Sequence, residues 1–186
     1  MLNPGTGKLR RHKAPFSRDQ RGVSAVEFAL VAPIMIGLYF GCVEISDAVS
    51  VDRKVSLAAA ALANLSSQVT TLSATDMNNI FDASGAIVAP YDVNKMKMTI
   101  TCINIDANKN ATVKWSATRN GAVKSGNVVL PAALQIASSQ IILAEASYDY
   151  KPTIGYTITG TISLTDKMYM TPRQMAPSYA PQGACT

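Results

Sequence analysis

The sequence is poor in the side chains that carry acid–base and metal chemistry. Its one histidine is His12, inside a short basic N-terminal stretch. No Ser–His or Cys–His nucleophile pair can therefore form beyond that stretch. The three cysteines, Cys42, Cys102 and Cys185, are too far apart in sequence, and too short of histidine, to suggest a zinc site. The glycines build no phosphate-cradling loop, because Gly5-Thr6-Gly7-Lys8 lacks a preceding strand and a following helix. The acids are scattered, and isolated surface carboxylates are the better reading than a catalytic pair. No enzyme activity, cofactor or metal is expected.

Charge is scarce too, at 16% of residues, and unevenly placed. Lys8, Arg10, Arg11, Lys13, Arg18 and Arg21 against Asp19 carry the whole formal charge of +5. From Gly22 onward, basic and acidic residues balance. Nucleic-acid binding needs a basic cluster on a folded face, and the neutral remainder offers none.

Residues 23–43, VSAVEFALVAPIMIGLYFGCV, have the length that crosses a hydrocarbon core and hold one charge, Glu27. A carboxylate in such a run is costly and marks a function. Lysines and arginines before the run keep that end in the cytoplasm, so residues 44–186 are expected outside the inner membrane, in a bacterial periplasm or beyond. The run is too long for the apolar core of a cleaved secretory signal and ends without a small-residue cleavage site. Gly41-Cys42 raises a lipoprotein signal as an alternative, but Tyr39-Phe40 fits that pattern badly. Gly37 and Gly41 form a G-x-x-x-G through which a neighbouring helix could approach closely. Pro33 should bend the span locally. The sequons at Asn64 and Asn110 carry little weight in a bacterial chain.

Residues 1–22 read as a disordered leader. Ala48, Val51, Val55, Ala58, Leu62, Leu65, Val69 and Leu72 form a stripe of period 3.5, so the helix should continue as an amphipathic extension over residues 44–72. The stripe can pack on the chain's own domain or on other subunits. Residues 73–171 should be an α+β domain. A short helix is capped by Ser73 or Thr75, runs through Phe81 and ends at Gly85. Strands follow over 96–105, 111–118 and 139–150, and residues 156–164 and 167–170 give one more strand or a return. Asn120-Gly121 signals a turn, and residues 130–136 an apolar loop or short helical turn. Residues 172–186 read as an irregular tail. The fold class is a long N-terminal transmembrane and amphipathic helix packed on a small antiparallel sheet. Cys102 and Cys185 lie in an oxidising compartment on this reading, where a bond between them would tie the tail back.

The junction Arg21-Gly22-Val23-Ser24-Ala25-Val26-Glu27-Phe28, with Ala29-Leu30-Val31-Ala32-Pro33 after it, resembles the TadE/TadG-like minor pseudopilins of the tight-adherence (Flp, type IVb-like) pilus system. The resemblance extends more weakly to residues 139–155 and to Met170-Thr171-Pro172-Arg173. It implies that a prepilin peptidase cuts after Gly22, leaving Val23 as the new N-terminus. It implies a processing or assembly role for Glu27, the fifth residue of the cut chain. It also implies partners among the other pilins and pseudopilins of that machinery. The external domain is larger than a major pilin's and smaller than that of TadG-type members, so TadE-like is the closer fit. The rival readings are an uncleaved, membrane-anchored periplasmic binding or adhesion module, and a membrane-anchored hydrolase disfavoured by the missing histidine.

Overall fold

The computed structural model describes residues 21–152, 160–173 and 177–185. Residues 1–20 of the leader, the first residues of the segment expected over 156–164, and the last part of the 139–155 resemblance lie outside them.

Helix α1, Arg21–Ser67, is one continuous helix that passes through Pro33. It is about 70 Å long at 1.5 Å per residue. Up to Val49 its apolar side chains are largely exposed, including Phe28, Leu30, Ile34, Leu38 and Tyr39. Beyond that, Val51, Val55, Ala58, Ala59, Leu62 and Ala63 are fully buried. The periodic stripe therefore packs on the chain's own sheet. Burial of each larger side chain there contributes roughly 1.5–3 kcal/mol.

The helix stops at Ser67, short of the Leu72 expected. The hydroxyls of Ser66 and Ser67 bond to the carbonyls of Leu62 and Asn64, at 2.7 and 2.9 Å, competing for the acceptors of the last turns. A β-branched run, Val69-Thr70-Thr71, follows and disfavours further helix. Leu72 keeps its core place from strand β1, Thr71–Leu72, and is 1% exposed.

Helix α2, Ala74–Gly85, opens on a capping box. The Asp76 N–H donates to Ser73 Oγ at 3.1 Å, and the Ser73 N–H donates to Asp76 Oδ2 at 3.0 Å. Strands β2 (Met96–Ile105), β3 (Ala111–Arg119), β4 (Ser139–Tyr150) and β5 (Ile162–Met170) form an antiparallel sheet in the order β3-β2-β4-β5. Met96, Met98, Ile100 and Cys102 of β2, with Ile142, Ala144, Ala146, Tyr148 and Tyr150 of β4, share the core with α1. Of the two readings of this region, one more strand or a return, β5 is the single strand. A bulge at Lys114 shifts the β2–β3 register between Cys102 and Ile103.

The other sheet face is apolar at one end and polar at the other. Ile103, Ile105, Ile141 and Leu143 pack under Leu130, beside the short 3-10 turn Ala132–Leu134. On the polar part, Thr99 meets Thr118 and Thr101 meets Ser116, each at 3.1 Å. Glu145 pairs with Lys124 and, at 3.0 Å, with Lys167. Burial opposes ionisation of Glu145, but hydrogen bonds from both lysines outweigh it and hold the carboxyl below its ordinary range. Gly121 lies over the hydroxyl pair, where a Cβ would stand 2.7 Å from Thr118 Oγ1 and 3.2 Å from Thr99 Oγ1. Gly121→Ala is therefore expected to cost about 1–3 kcal/mol in chemical denaturation. An unchanged midpoint would show that the turn simply moves aside.

The tail is not irregular in its described part. Strand β6, Ser178–Tyr179, pairs parallel with β1. Trp115 Nε1 donates to the Pro177 carbonyl at 2.8 Å. The Gln182 amide bonds both backbone groups of Ser116, at 3.0 Å each, and so covers the outer edge of β3. Cys185 is bonded to Cys102, with Cα atoms 6.0 Å apart.

Candidate functional site

The residues singled out at the junction occupy the first turns of α1. Gly22 and Glu27 are exposed, and Val23 is 57% exposed. A Cβ on Gly22 would meet nothing within 4 Å. Val23 and Glu27 are four apart, hence neighbours on one helix face roughly 5–6 Å apart at Cβ. A carboxylate at Glu27 is thus within reach of an amino group created at residue 23, in the same chain or in a neighbour.

This helix is long and apolar enough to cross a membrane, and its most apolar stretch is only 11% buried within the chain. A core helix of a soluble domain would be mostly buried. Gly37 is half-buried and Gly41 is buried within the chain itself, so Gly37 is the more open of the two to another helix. Cys42 is exposed and not disulfide-bonded.

A second cluster, which sequence reasoning missed, sits where the apolar run ends. Asp47 accepts hydrogen bonds from the Tyr91 and Tyr150 hydroxyls, the latter at 2.8 Å. Tyr91 rests edge-on against Tyr148, with ring centroids 6.4 Å apart. Glu44, one turn back on the helix, is 3% exposed and also partnered. Burial, then the hydrogen bond to Asp47, push the Tyr150 phenol up to about 12. The hydrogen bond to Asp47, then burial, raise Tyr91. The cluster clamps α1 to the domain through partners 44 and 103 residues away. The acids at 44 and 47 were visible in the sequence, but their phenol partners carry no local signal.

The far end of α1 is fastened as well. Arg173 donates its N–H to the Ser67 carbonyl at 3.1 Å and its guanidinium to Asn64 Oδ1 at 2.9 Å. Ser67 Oγ lies 3.1 Å from Met170 Sδ. Lys54 Nζ donates to the Ala89 carbonyl at 2.6 Å. The helix is held along its outer twenty or so residues.

A hollow of about 680 Å³ lies between α2 and the Asn120 turn, lined by Asp82, Tyr91, Asn94, Arg119 and Asn120 among others. Arg119 is committed to Asp82 and stacks on Phe81 at 5.4 Å. Among the described residues, no three His, Cys, Asp or Glu side chains gather where a metal could sit.

Residues 22–64 match the family model described as TadE-like protein. The match covers the junction, the apolar run and most of the stripe. No curated protein and no solved structure matches the chain.

Proposed function

With a TadE-like domain at residues 22–64 as the premise, we propose that this chain is a minor pseudopilin-like membrane protein that takes part in tight-adherence pilus assembly. The observation that carries the reading is the coincidence of that domain with a helix that is apolar and exposed over its first half and buried on its own sheet over its second. In this reading residues 23–43 span the inner membrane once, with the leader in the cytoplasm and the domain in the periplasm. A prepilin peptidase cuts after Gly22. The cut creates an ammonium at Val23 in a low-dielectric setting, where an unpaired charge is costly. Glu27, one turn on, neutralises it within the chain or across to the next subunit, which would set axial register. Gly37 offers a close approach to another pilin helix.

Two measurements test this. Mass spectrometry of the N-terminal peptide should find Val23 as the first residue, and an intact leader would favour the uncleaved anchor instead. Glu27→Gln keeps the side-chain shape and removes the charge. It is expected to abolish assembly or processing without moving the melting temperature of the periplasmic domain, since Glu27 is remote from its core. A variant that is cut and assembled normally would remove Glu27 from the mechanism.

A further inference from the structure

The clamp at Asp47 fixes how close the domain stands to the membrane. Asp47 is four residues past Val43, the end of the apolar run, which is about 6 Å along the helix axis. The headgroup layer on one side of a bilayer is roughly 5–8 Å thick. The side of α1 away from the domain stays uncharged beyond Val43: Ile45 is 53% and Val49 46% exposed, beside the exposed Ser46 and Ser50. The first exposed charges there are Asp52 and Arg53. So at the axial level where Tyr91 and Tyr150 grip the helix from one side, its opposite side is still uncharged.

The end of the domain at this level can be identified from the strand register. Tyr150 pairs with Ile162, and Met96 with Tyr148. The short 3-10 turn Val93–Lys95 leads into Met96. Val93 is 41% and Ile162 37% exposed, and Lys95 and Lys151 are exposed beside them. Of the acids at this end, Asp92 is exposed and accepts the Asn94 N–H, while Asp149 is paired with Lys97 at 2.7 Å.

Resting on the membrane-spanning reading above, we infer that this end of the domain is seated in the outer headgroup layer of the inner membrane. Val93 and Ile162 enter the interfacial region, and Lys95 and Lys151 meet phospholipid phosphates. The occupant is lipid because this level lies within one headgroup thickness of the end of the span. Lysine stems can lie along apolar surface while their ammonium groups reach phosphate.

The test uses the full chain in phosphatidylethanolamine–phosphatidylglycerol vesicles. Single tryptophans are introduced as Val93→Trp, Ile162→Trp and Val129→Trp. Val129 is 93% exposed next to Leu130, at the opposite end of the sheet. The native Trp115 is buried and supplies a constant background. A nitroxide on the lipid headgroup should quench residues 93 and 162 at least about two-fold more than residue 129, as their interfacial depth requires. Leu38→Trp, in mid-span, should be quenched by lipids brominated deep in the acyl chain. Equal headgroup quenching at all three domain positions, with Leu38→Trp still quenched, overturns the seating alone. Residues 93 and 162 shielded from both nitroxide lipid and aqueous iodide would show a protein neighbour there, which also overturns it. Failure of deep quenching at residue 38 removes the membrane-spanning reading itself.

Discussion

Reduction of the bond between Cys102 and Cys185, or Cys102→Ser, is expected to lower the unfolding free energy of the domain by about 4 kcal/mol. The bond closes a loop of 83 residues, long enough for chain entropy in the unfolded state to dominate its effect. For a domain of this size the loss corresponds to about 10 °C in melting temperature. The effect should be local as well as global. The tail carries the Pro177 carbonyl that accepts from Trp115, and the Gln182 amide that covers Ser116 on the β3 edge. Once the tail is loosened, the Ser116 amide and the Trp115 indole N–H should lose hydrogen-exchange protection before the amides of β4. Equal melting with and without reductant would show that strand pairing and packing alone hold the tail.

The second large effect is expected at Asp47. Asp47→Ala leaves the Tyr91 and Tyr150 hydroxyls without their acceptor, at a cost of about 3 kcal/mol for two charge-assisted hydrogen bonds. Asp47→Asn keeps one carbonyl acceptor and should fall between wild type and alanine. The same cluster sets a pH dependence. The Tyr150 phenol is raised from 10.0 to about 12, so its neutral form is favoured in the folded state. That contribution is complete below pH 10, where the phenol is neutral whether folded or unfolded. It is lost as pH rises through the folded value near 12. The loss is about 2 kcal/mol over that window, and the raised phenols of Tyr91 and Tyr148 add in the same direction. Tyr150→Phe should flatten this alkaline limb in urea titrations at pH 9 to 12. A limb of unchanged depth would assign it to other groups.

Local chemistry was legible in the sequence. Alternation in MKMTITCINI places Met96, Met98, Ile100 and Cys102 on the core face. Ser73 with Asp76 announces the start of α2. The stripe from Ala48 to Leu62 identifies the helix face that meets the sheet. What could not be read depends on partners distant in the chain. The stop at Ser67 comes from serine hydroxyls competing for carbonyls, against a stripe whose period continues to Leu72. The bulge at Lys114 follows from pairing with β2. The docking of the tail, where the composition reads as irregular, depends on Gln182 reaching a strand edge 66 residues away. At the candidate site, Gly22, Val23 and Glu27 stand out because glycine, charge and an apolar run adjoin in sequence. The phenol clamp does not, because Asp47 and Tyr150 have no common local pattern.

The single helix has a mechanical consequence. α1 runs the same way as β5, from Asp47 at Tyr150 and Ile162 to Ser67 at Met170. It is fastened at both ends of that overlap. An axial pull on the exposed N-terminal half is therefore shared by the whole seam at once, in shear, instead of peeling contacts one after another. The exposed half of the helix and the domain then act as one lever, along which force applied at Val23 is carried to the top of the sheet.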